Sequence, residues 1–348
     1  MAVWLVRAGK NGEREDFALE NSVAVIGWGD LPDLSSADTK EKLTELMKHA
    51  YPDQNKHAIA NYVGQVWAFR GRMEVGDLVV LPLKTTSMIA VGKVTGPYVY
   101  KAKNPEGTRH ARPMKWIRDD IPREAFGQDL LYSFGAFMTV CKIERNDAEQ
   151  RVKAVTEGKK DPLAQTLLPL DDEAAAALPV DLGQYASDQI RQFISRKFKG
   201  HDLAMLVDSL LKAEGYMTFR SPPGADGGVD ILAGRGPLGF EHPKLCVQVK
   251  STGAAVDVTA LRQLQGTMTT FKADQGLLVS WGGFTKNVMQ EGKQSYFAVR
   301  FWDAADVISA IFSSYDKLSE ELRAELPLKR IWTLVPEEIE EQSAVADR

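Results

Sequence analysis

The 348-residue sequence contains only two cysteines, Cys141 and Cys246, and they are far apart in the chain. Two cysteines at this separation do not form the framework of a disulfide-rich secreted protein. No apolar run approaches the about 18 residues that a membrane span needs, and the N-terminus lacks the pattern of a secretory signal. We therefore expect a cytoplasmic protein without a membrane segment.

The sequence also lacks a phosphate-binding loop for ATP. Neither the glycine pair at 227–228 nor the Gly234-Arg235-Gly236 segment leads into the Gly-Lys-Ser/Thr ending that such a loop requires. We therefore expect no ATP-driven motor in this chain.

Charge is unevenly distributed along the chain. The formal net charge is -4, but residues 191–300 contain 14 lysines and arginines against 9 aspartates and glutamates, whereas residues 303–348 contain 5 against 11. A basic segment permits contact with nucleic-acid phosphates, although an excess of this size is also common on a solvated surface.

The length and the local patterns predict two domains joined by a connector. Residues 1–150 contain short apolar strands and two helical patterns, at 39–47 and 54–69, which indicate an α+β or barrel-like module. Residues 151–186 combine charge, proline and alanine, as in a linker. Residues 187–315 are predicted to form an α/β domain with a central mixed sheet, and residues 316–348 a short helix followed by an acidic, disordered tail.

The clearest candidate for a catalytic site lies around Asp230, which follows a glycine-rich turn at 224–228. Gln248 lies further along the chain in the apolar run at 245–249, and Lys250 directly follows that run. Side chains alternate in an extended segment, so Gln248 and Lys250 share one face. The short segment at 233–244 allows the two strands to pair as a hairpin, which would bring Asp230 beside them. A carboxylate and an amide oxygen suit Mg²⁺, and a lysine can activate water for attack on a phosphodiester.

The same residues allow a purely structural interpretation. The glycines can form an ordinary turn between strands, and a Gln-x-Lys pair in a strand is often a solvated edge. From the spacing alone, both interpretations remain open.

The segment from 198 to about 312 resembles the Mrr-like restriction endonuclease domain, a branch of the PD-(D/E)xK nuclease superfamily in which the acid of the third motif is often glutamine. The resemblance is carried by motifs in the family's order: Gly200-His201-Asp202, Gly227-Gly228-Val229-Asp230-Ile231, Gln248-Val249-Lys250, a helix with Leu261, Leu264 and Met268, Gly276-Leu277-Leu278-Val279-Ser280, and Gly283-Phe284-Thr285. It implies that Asp230 binds the metal, that Gln248 binds or orients it, and that Lys250 is the catalytic lysine. The implied cofactor is Mg²⁺, with Mn²⁺ as the alternative ion.

One position departs from this family pattern. Many relatives carry a glutamate in the first helix, at the place where this sequence has Ala204, and Asp202 is expected on another face of that helix. A missing acid implies weaker metal binding or a site for a single metal ion.

The N-terminal segment resembles the PUA-like superfamily, particularly EVE-like modules. The resemblance is carried by Ile26-Gly27-Trp28, by the segments at 69–80 and 89–98, and by Arg112-Pro113-Met114-Lys115-Trp116. It implies a pocket for a flipped or modified base, with Trp28, Tyr98 and Trp116 as stacking surfaces and Asn21 or Ser22 as edge contacts. For each aromatic residue, core packing is the competing interpretation. His110 is predicted to lie in a basic loop.

The sequence thus predicts a DNA endonuclease resembling type IV, modification-dependent restriction enzymes, with DNA as partner and a homodimer for cutting both strands. Two alternatives remain: a catalytically inactive nucleic-acid reader, and an adaptor subunit of a defence assembly.

Overall fold

A computed structural model describes residues 1–86, 88–164, 182–222 and 228–332 of the chain. The described residues form two compact units, which meet in sequence between Tyr185 and Ala186. No helix within these ranges has both the length and the apolar character of a membrane span. The predicted acidic tail beyond residue 332 and the predicted glycine turn at 224–227 lie outside the described residues.

The N-terminal unit is built on a seven-stranded mixed sheet. Its strands are β1 (Val3–Val6), β2 (Val23–Ile26), β3 (Leu78–Pro82), β4 (Met88–Val94), β5 (Val99–Tyr100), β6 (His110–Pro122) and β7 (Val140–Ile143). The order across the sheet is β2-β6-β4-β3-β1-β7, and β5 also pairs with β6. Only β1 and β3 run parallel among these pairs, so the unit is an α+β module, as the sequence predicts.

Helices pack on this sheet. They are α1 (Glu15–Glu20), α2 (Lys40–Ala50), α3 (Lys56–Trp67), α4 (Gln128–Phe134) and α5 (Ala148–Thr156). The Asn55 side chain accepts hydrogen bonds from the backbone N–H groups of His57 and Ala58, which satisfies the first turn of α3. Ile59, Val63 and Val66 then follow at helical spacing and are buried in the largest core cluster of the unit. The two helices predicted from the sequence are therefore present as α2 and α3.

Residues 148–164 pack inside the N-terminal unit, although the sequence predicted a connector from residue 151. Val152 of α5 is buried in a core cluster. Arg151 forms two hydrogen bonds to the Asp161 carboxylate, at 2.9 and 2.7 Å, and two to Asp129, at 2.5 and 2.9 Å. This ion-pair network makes residue 161 part of the folded unit. The sequence suggested a connector there because its pattern of charge and proline contains no signal for partners so distant in the chain.

The C-terminal unit contains a five-stranded mixed sheet. Its strands are β8 (Met217–Arg220), β9 (Ile231–Arg235), β10 (Glu241–Lys250), β11 (Gln275–Ser280) and β12 (Val299–Trp302), in the order β12-β11-β10-β9-β8. β8, β9 and β10 pair antiparallel, whereas β10, β11 and β12 pair parallel. The predicted hairpin and the predicted mixed sheet are both confirmed.

Helices cover both faces of this sheet. They are α6 (Leu182–Lys197), α7 (His201–Ala213), α8 (Val258–Phe271), α9 (Lys286–Gly292), α10 (Ala304–Ser314) and α11 (Glu320–Glu325). Val247 faces a cluster that includes residues of α6, α7, α10 and α11, whereas Cys246 faces a cluster formed mainly with α8 and α9. Leu261 and Leu264 anchor α8 to the second face, and burial of each such side chain stabilises the fold by roughly 1.5–3 kcal/mol. Gln248 and Lys250 have the same parity as Cys246, so they lie on the α8 side of the sheet.

Candidate active site

Asp230 is the last residue before β9 and is held against β10 by two hydrogen bonds. Its backbone N–H donates to the carbonyl of Val247 at 2.9 Å, which extends the antiparallel ladder by one residue. Its carboxylate Oδ2 accepts a 2.7 Å bond from the backbone N–H of Val249. Because Ile231 is paired with Val247, the same register places Asp230 opposite Gln248 and on the same face. The carboxylate position is therefore fixed by the hairpin itself.

A second tether holds the chain on the other side of Asp230. The backbone N–H of Ser221 donates to the Asp230 carbonyl at 2.9 Å, and the Ser221 hydroxyl donates to the carbonyl of Val229 at 2.7 Å. Ser221 is itself buried. Asp230 therefore enters the site from a backbone bonded on both sides. Ser221 was not predicted from the sequence, which has no signal that singles out this serine.

Gln248 is buried in the middle of the site. Its side chain is 4% exposed, and its amide Oε1 has no hydrogen-bond partner in the described part of the chain. An unpaired buried acceptor is costly, so native structures keep few of them without a ligand or a functional reason. Lys250 ends the same strand two residues later and is half-buried.

The structure brings Asp230, Gln248 and Lys250 together around one cavity of about 590 Å³. The opposite wall comes from α8, and Gly228 completes the lining. The remaining lining residues are Gln263, Gly266, Thr267 and Thr270. Gly228 has a φ of +85°, and a Cβ added there would lie 3.3 Å from the Thr267 hydroxyl, so this position favours glycine on two grounds. The cavity thus combines one carboxylate, one buried amide oxygen and one ammonium group.

The donor set fits a hard divalent cation. Mg²⁺ binds oxygen ligands and commonly takes only one or two carboxylates from a protein, with water and substrate phosphate completing its shell. Asp230 supplies the carboxylate and the unpaired Gln248 Oε1 supplies a neutral oxygen. Within the described ranges, no group of three or more His, Cys, Asp or Glu side chains could hold a metal ion. Asp230 and Gln248 are therefore the described residues that would hold such an ion, with water or phosphate oxygens completing its shell.

Helix α7, which carries the departure from the family pattern, adds no acid to the cavity. Ala204 is 2% exposed in α7, and neither it nor the exposed Asp202 is among the residues that line the cavity. The backbone N–H of Gly200, just before α7, donates to the Ser251 hydroxyl at 3.0 Å. The start of α7 is therefore tied to the residue that follows Lys250, but the helix contributes position and not ligands.

The α8 wall was missed by the sequence reasoning, which used only the buried face of that helix. Gln263, Gly266 and Thr270 are exposed and lie at i, i+3 and i+7, so they form one stripe. This helical spacing was the one feature in the sequence that could have indicated the wall. Whether the stripe lines a cavity depends on the packing of α8 against β10, which the sequence does not specify.

The five residues predicted to recognise a base all lie in the N-terminal unit, where three of them pack against one apolar cluster. Trp28 is 3% exposed within that cluster, and its ring meets Tyr62 edge-on at a centroid distance of 5.8 Å. Trp116 packs against the same cluster, and its indole N–H donates to the Ala18 carbonyl at 3.0 Å. Both indoles therefore contribute to packing.

Tyr98 belongs to a buried network with His110. The His110 Nε2 donates to the carbonyl of Leu31 at 3.2 Å, so its Nδ1 accepts from the Tyr98 hydroxyl at 2.8 Å. The Tyr98 hydroxyl in turn accepts from the backbone N–H of Leu34. His110 is fully buried as the first residue of β6 and does not lie in the predicted basic loop. Its burial is tolerated because this network satisfies both ring nitrogens. Desolvation lowers the pKa of His110 to about 4, while burial raises the pKa of Tyr98 well above its usual value.

Asn21 and Ser22 lie on the exposed turn between α1 and β2. The Asn21 side-chain amide donates to the Phe17 carbonyl at 2.9 Å, and the Ser22 carbonyl accepts from the backbone N–H of Met114 at 2.8 Å. Ser22 has a φ of +53°, in the left-handed region. The two residues therefore shape the turn that precedes β2.

Family models match a segment of each unit. Residues 195–311 match the Mrr-type catalytic family model described as "Restriction endonuclease", and residues 4–131 match a family model described as a domain of unknown function. The C-terminal unit therefore contains a restriction endonuclease domain. No curated protein matches the sequence.

Two solved structures with low overall similarity complete the comparison. The DNA modification-dependent restriction endonuclease AspBHI aligns with 16% identity and a TM-score of 0.33, over 72% of this chain and 67% of that chain. The MspJI restriction endonuclease, in complex with a 27-mer oligonucleotide, aligns with 13% identity and a TM-score of 0.33, over 94% of this chain and 80% of that chain.

Proposed function

We propose that this protein is a metal-dependent endonuclease that hydrolyses phosphodiester bonds in modified DNA. The observation that carries the proposal is the convergence of Asp230, Gln248 and Lys250 on one cavity within a restriction endonuclease domain. A carboxylate, a neutral oxygen and an ammonium group on adjacent strands suit the attack of water on a phosphate. Few other reactions use this set of groups at one place.

Asp230 and Gln248 would hold the divalent cation, Mg²⁺ or alternatively Mn²⁺. When bound, the cation supplies Lewis-acid stabilisation of the negative charge that develops on the scissile phosphate. The hydrogen bond from Val249 orients the Asp230 carboxylate, and burial within the sheet restricts the Gln248 amide to few rotamers.

Lys250 orients the attacking water through the N–H donors of its ammonium group; to accept the proton of that water it must first lose its own proton and act as the neutral amine. Its ammonium group is half-buried at the end of β10, in the same cavity as the metal-binding oxygens, so it also attracts the phosphate. Asp230 and Lys250 carry opposite charges, and the cavity lining is therefore close to neutral before metal or DNA binds.

We propose that the N-terminal unit selects the DNA, because its motifs resemble PUA-like base-binding modules. Trp28, Tyr98 and Trp116 remain the candidates for stacking and Asn21 and Ser22 for edge contacts. Since Trp28 is buried, we expect the modified base to approach the more exposed Tyr98 and Trp116 first.

A second candidate function is supported by the small number of acids. Asp230 is the only carboxylate that lines the cavity among the described residues. A protein that reads DNA without cutting it would have the same fold and basic segment. Calorimetric titration with Mn²⁺ separates the two functions, since a site without catalytic activity has no need of a metal ion.

Each chain supplies one candidate cavity in its described residues, and cleavage of both DNA strands with one site per chain is easiest for a dimer. We therefore propose that the active species on duplex DNA is a homodimer. Sedimentation of the protein with and without duplex DNA tests this, and a monomer in both conditions during double-strand cleavage would contradict it.

The decisive experiment compares matched plasmids in Mg²⁺: unmodified, or carrying methylated cytosine, hydroxymethylated cytosine or methylated adenine. We expect cleavage of at least one modified plasmid and little cleavage of the unmodified one. Lys250→Ala should abolish cleavage while folding and DNA binding persist. Lys244→Ala, another half-buried lysine of β10 that does not line the cavity, is the matched control.

Two results would reject the proposal. Cleavage by Lys250→Ala at the rate of the unaltered protein would remove the assigned role of the lysine. Intact plasmids in every condition, combined with an absence of Mn²⁺ binding, would favour the reader.

A further inference from the structure

The wall of the cavity opposite the proposed catalytic residues is formed by one exposed face of α8. Gln263, Gly266 and Thr270 lie on this face and line the cavity, with the buried Thr267 beneath them. All four are uncharged. The wall therefore offers amide and hydroxyl groups without placing a carboxylate near the substrate.

Gly266 is in the interior of a 14-residue helix, where glycine is unfavourable by about 0.8–1.0 kcal/mol relative to alanine. A Cβ added at Gly266 would have no atom within 4 Å. Neither helix packing nor backbone conformation thus requires glycine at this position. The absence of a side chain does leave room for a ligand to approach the helix backbone closely.

An independent observation shows that the cavity is built for a ligand. The Gln248 side chain is 96% buried, lines the same cavity, and has an Oε1 without a hydrogen-bond partner among the described residues. The wall and the unpaired acceptor face one space of about 590 Å³. The proposed metal would be held by Asp230 and Gln248, which would leave the α8 side of the space to the substrate.

We propose that the Gln263, Gly266 and Thr270 face of α8 seats the sugar–phosphate backbone of the strand that is cut. This inference rests on the proposed nuclease function and adds the surface that positions its substrate. Neutral hydrogen-bonding groups can contact phosphate and sugar oxygens without competing for the cation. The absent side chain at Gly266 allows the DNA backbone to approach the helix, and so sets the phosphate between α8 and the strand bearing Lys250. These are positioning residues.

Two neighbouring threonines allow a closely matched test. Thr269 and Thr270 are both exposed, and each hydroxyl donates a 3.1 Å bond to the carbonyl four residues earlier, but only Thr270 lines the cavity. Thr270→Asp introduces negative charge where the inference places phosphate. We expect it to weaken binding of a labelled methylated duplex in Ca²⁺ by about tenfold or more, while Thr269→Asp changes it by less than about threefold.

Two helical glycines provide a steric test with a control for folding. Gly64 in α3 also has no atom within 4 Å of an added Cβ, and it is exposed in the N-terminal unit. Gly64→Leu and Gly266→Leu should both raise the thermal midpoint, because leucine favours helix. Only Gly266→Leu should reduce duplex binding and cleavage, by about tenfold or more.

The outcomes separate the inference from the proposed function. Equal duplex binding by Thr270→Asp and Thr269→Asp, together with full cleavage by Gly266→Leu, would overturn the inference while the nuclease proposal stands. Loss of binding in Thr270→Asp and Gly266→Leu alone supports the inference, even if the unaltered protein binds DNA without cutting it. No duplex binding by the unaltered protein would overturn the inference as well.

Discussion

The Asp230 carboxylate accepts a 2.7 Å hydrogen bond from the backbone N–H of Val249, the residue between Gln248 and Lys250. The acid of one strand is thereby fixed to the segment that carries the other two candidate residues. The bond uses only Oδ2, and the following predictions separate its structural contribution from the charge of the carboxylate.

Asp230→Asn should abolish metal binding with little effect on stability. The asparagine Oδ1 can still accept the bond from Val249, so the free energy of unfolding should change by less than about 1.5 kcal/mol. Its neutral amide attracts a divalent cation much less strongly. Calorimetry with Mn²⁺ and chemical denaturation measure the two effects. Asp230→Ala removes the acceptor as well and should be less stable than Asp230→Asn; equal Mn²⁺ affinity of Asp230→Asn and the unaltered protein would contradict the assignment.

Gln248→Leu should stabilise the protein and abolish cleavage. Leucine has a similar volume and removes an unpaired buried acceptor, whose desolvation costs about 1–3 kcal/mol. Gln128 is the matched control, since it is 3% exposed in the N-terminal unit and both polar atoms of its side chain lack partners within the described residues. Gln128→Leu should also raise the free energy of unfolding but leave cleavage intact. A Gln248→Leu protein that cuts DNA normally would show that its amide is not a ligand.

The N-terminal unit should lose stability on acidification because of His110. Desolvation lowers its pKa in the folded state to about 4, against about 6.5 when unfolded. The unfolded chain therefore binds more protons between these values, so stability is fully present above pH 6.5 and falls as the pH decreases towards 4. The loss is on the order of 1–3 kcal/mol. Denaturation curves across this range should show a weaker pH dependence for His110→Gln, whereas the exposed-site variant His57→Gln should follow the unaltered protein.

Arg151→Met should destabilise the N-terminal unit strongly. The change leaves the buried Asp161 carboxylate without its charged partner, and such a loss costs about 3–5 kcal/mol. Arg118→Met removes a more exposed pair with Asp120 and should cost less than about 1 kcal/mol. The free energies of unfolding of the two variants are compared directly. Similar values for both would show that the Arg151 network does not contribute to stability as its burial indicates.

The hairpin and its face assignment could be predicted from the sequence because they depend on local alternation. The apolar residues of β10 alternate with Gln248 and Lys250, and the segment between the strands is too short for any other connection. Register follows from that alternation, since a slip of one residue would bury Lys250 and expose Val249. Such patterns need no knowledge of distant contacts.

β6 could not be predicted in the same way. This 13-residue strand contains a buried histidine and a buried arginine, His110 and Arg112, which resemble a basic loop when only neighbours in sequence are considered. Their partners are distant in the chain: His110 bonds to Tyr98 and Leu31, and Arg112 to the Met73 carbonyl. Burial of polar residues is favourable only with such partners, and the fold alone reveals them.

The α8 wall illustrates a third case, in which the pattern was visible but its surroundings were not. The stripe of Gln263, Gly266 and Thr270 looks like an ordinary solvated helix face. It becomes part of a site only because Leu261 and Leu264 dock the helix on the sheet. Ser221 had no visible pattern at all, because its contacts with Val229 and Asp230 depend on the pairing of β8 and β9.

Because the two walls of the cavity come from separate segments, the chemistry depends on complete assembly. The β9–β10 hairpin can align Asp230 with Gln248 soon after synthesis, yet α8 follows later in the chain and must dock before the space between them exists. A nascent or damaged chain would thus carry Asp230, Gln248 and Lys250 without the cavity that they line. Under the proposed nuclease function, such a chain should not cleave DNA.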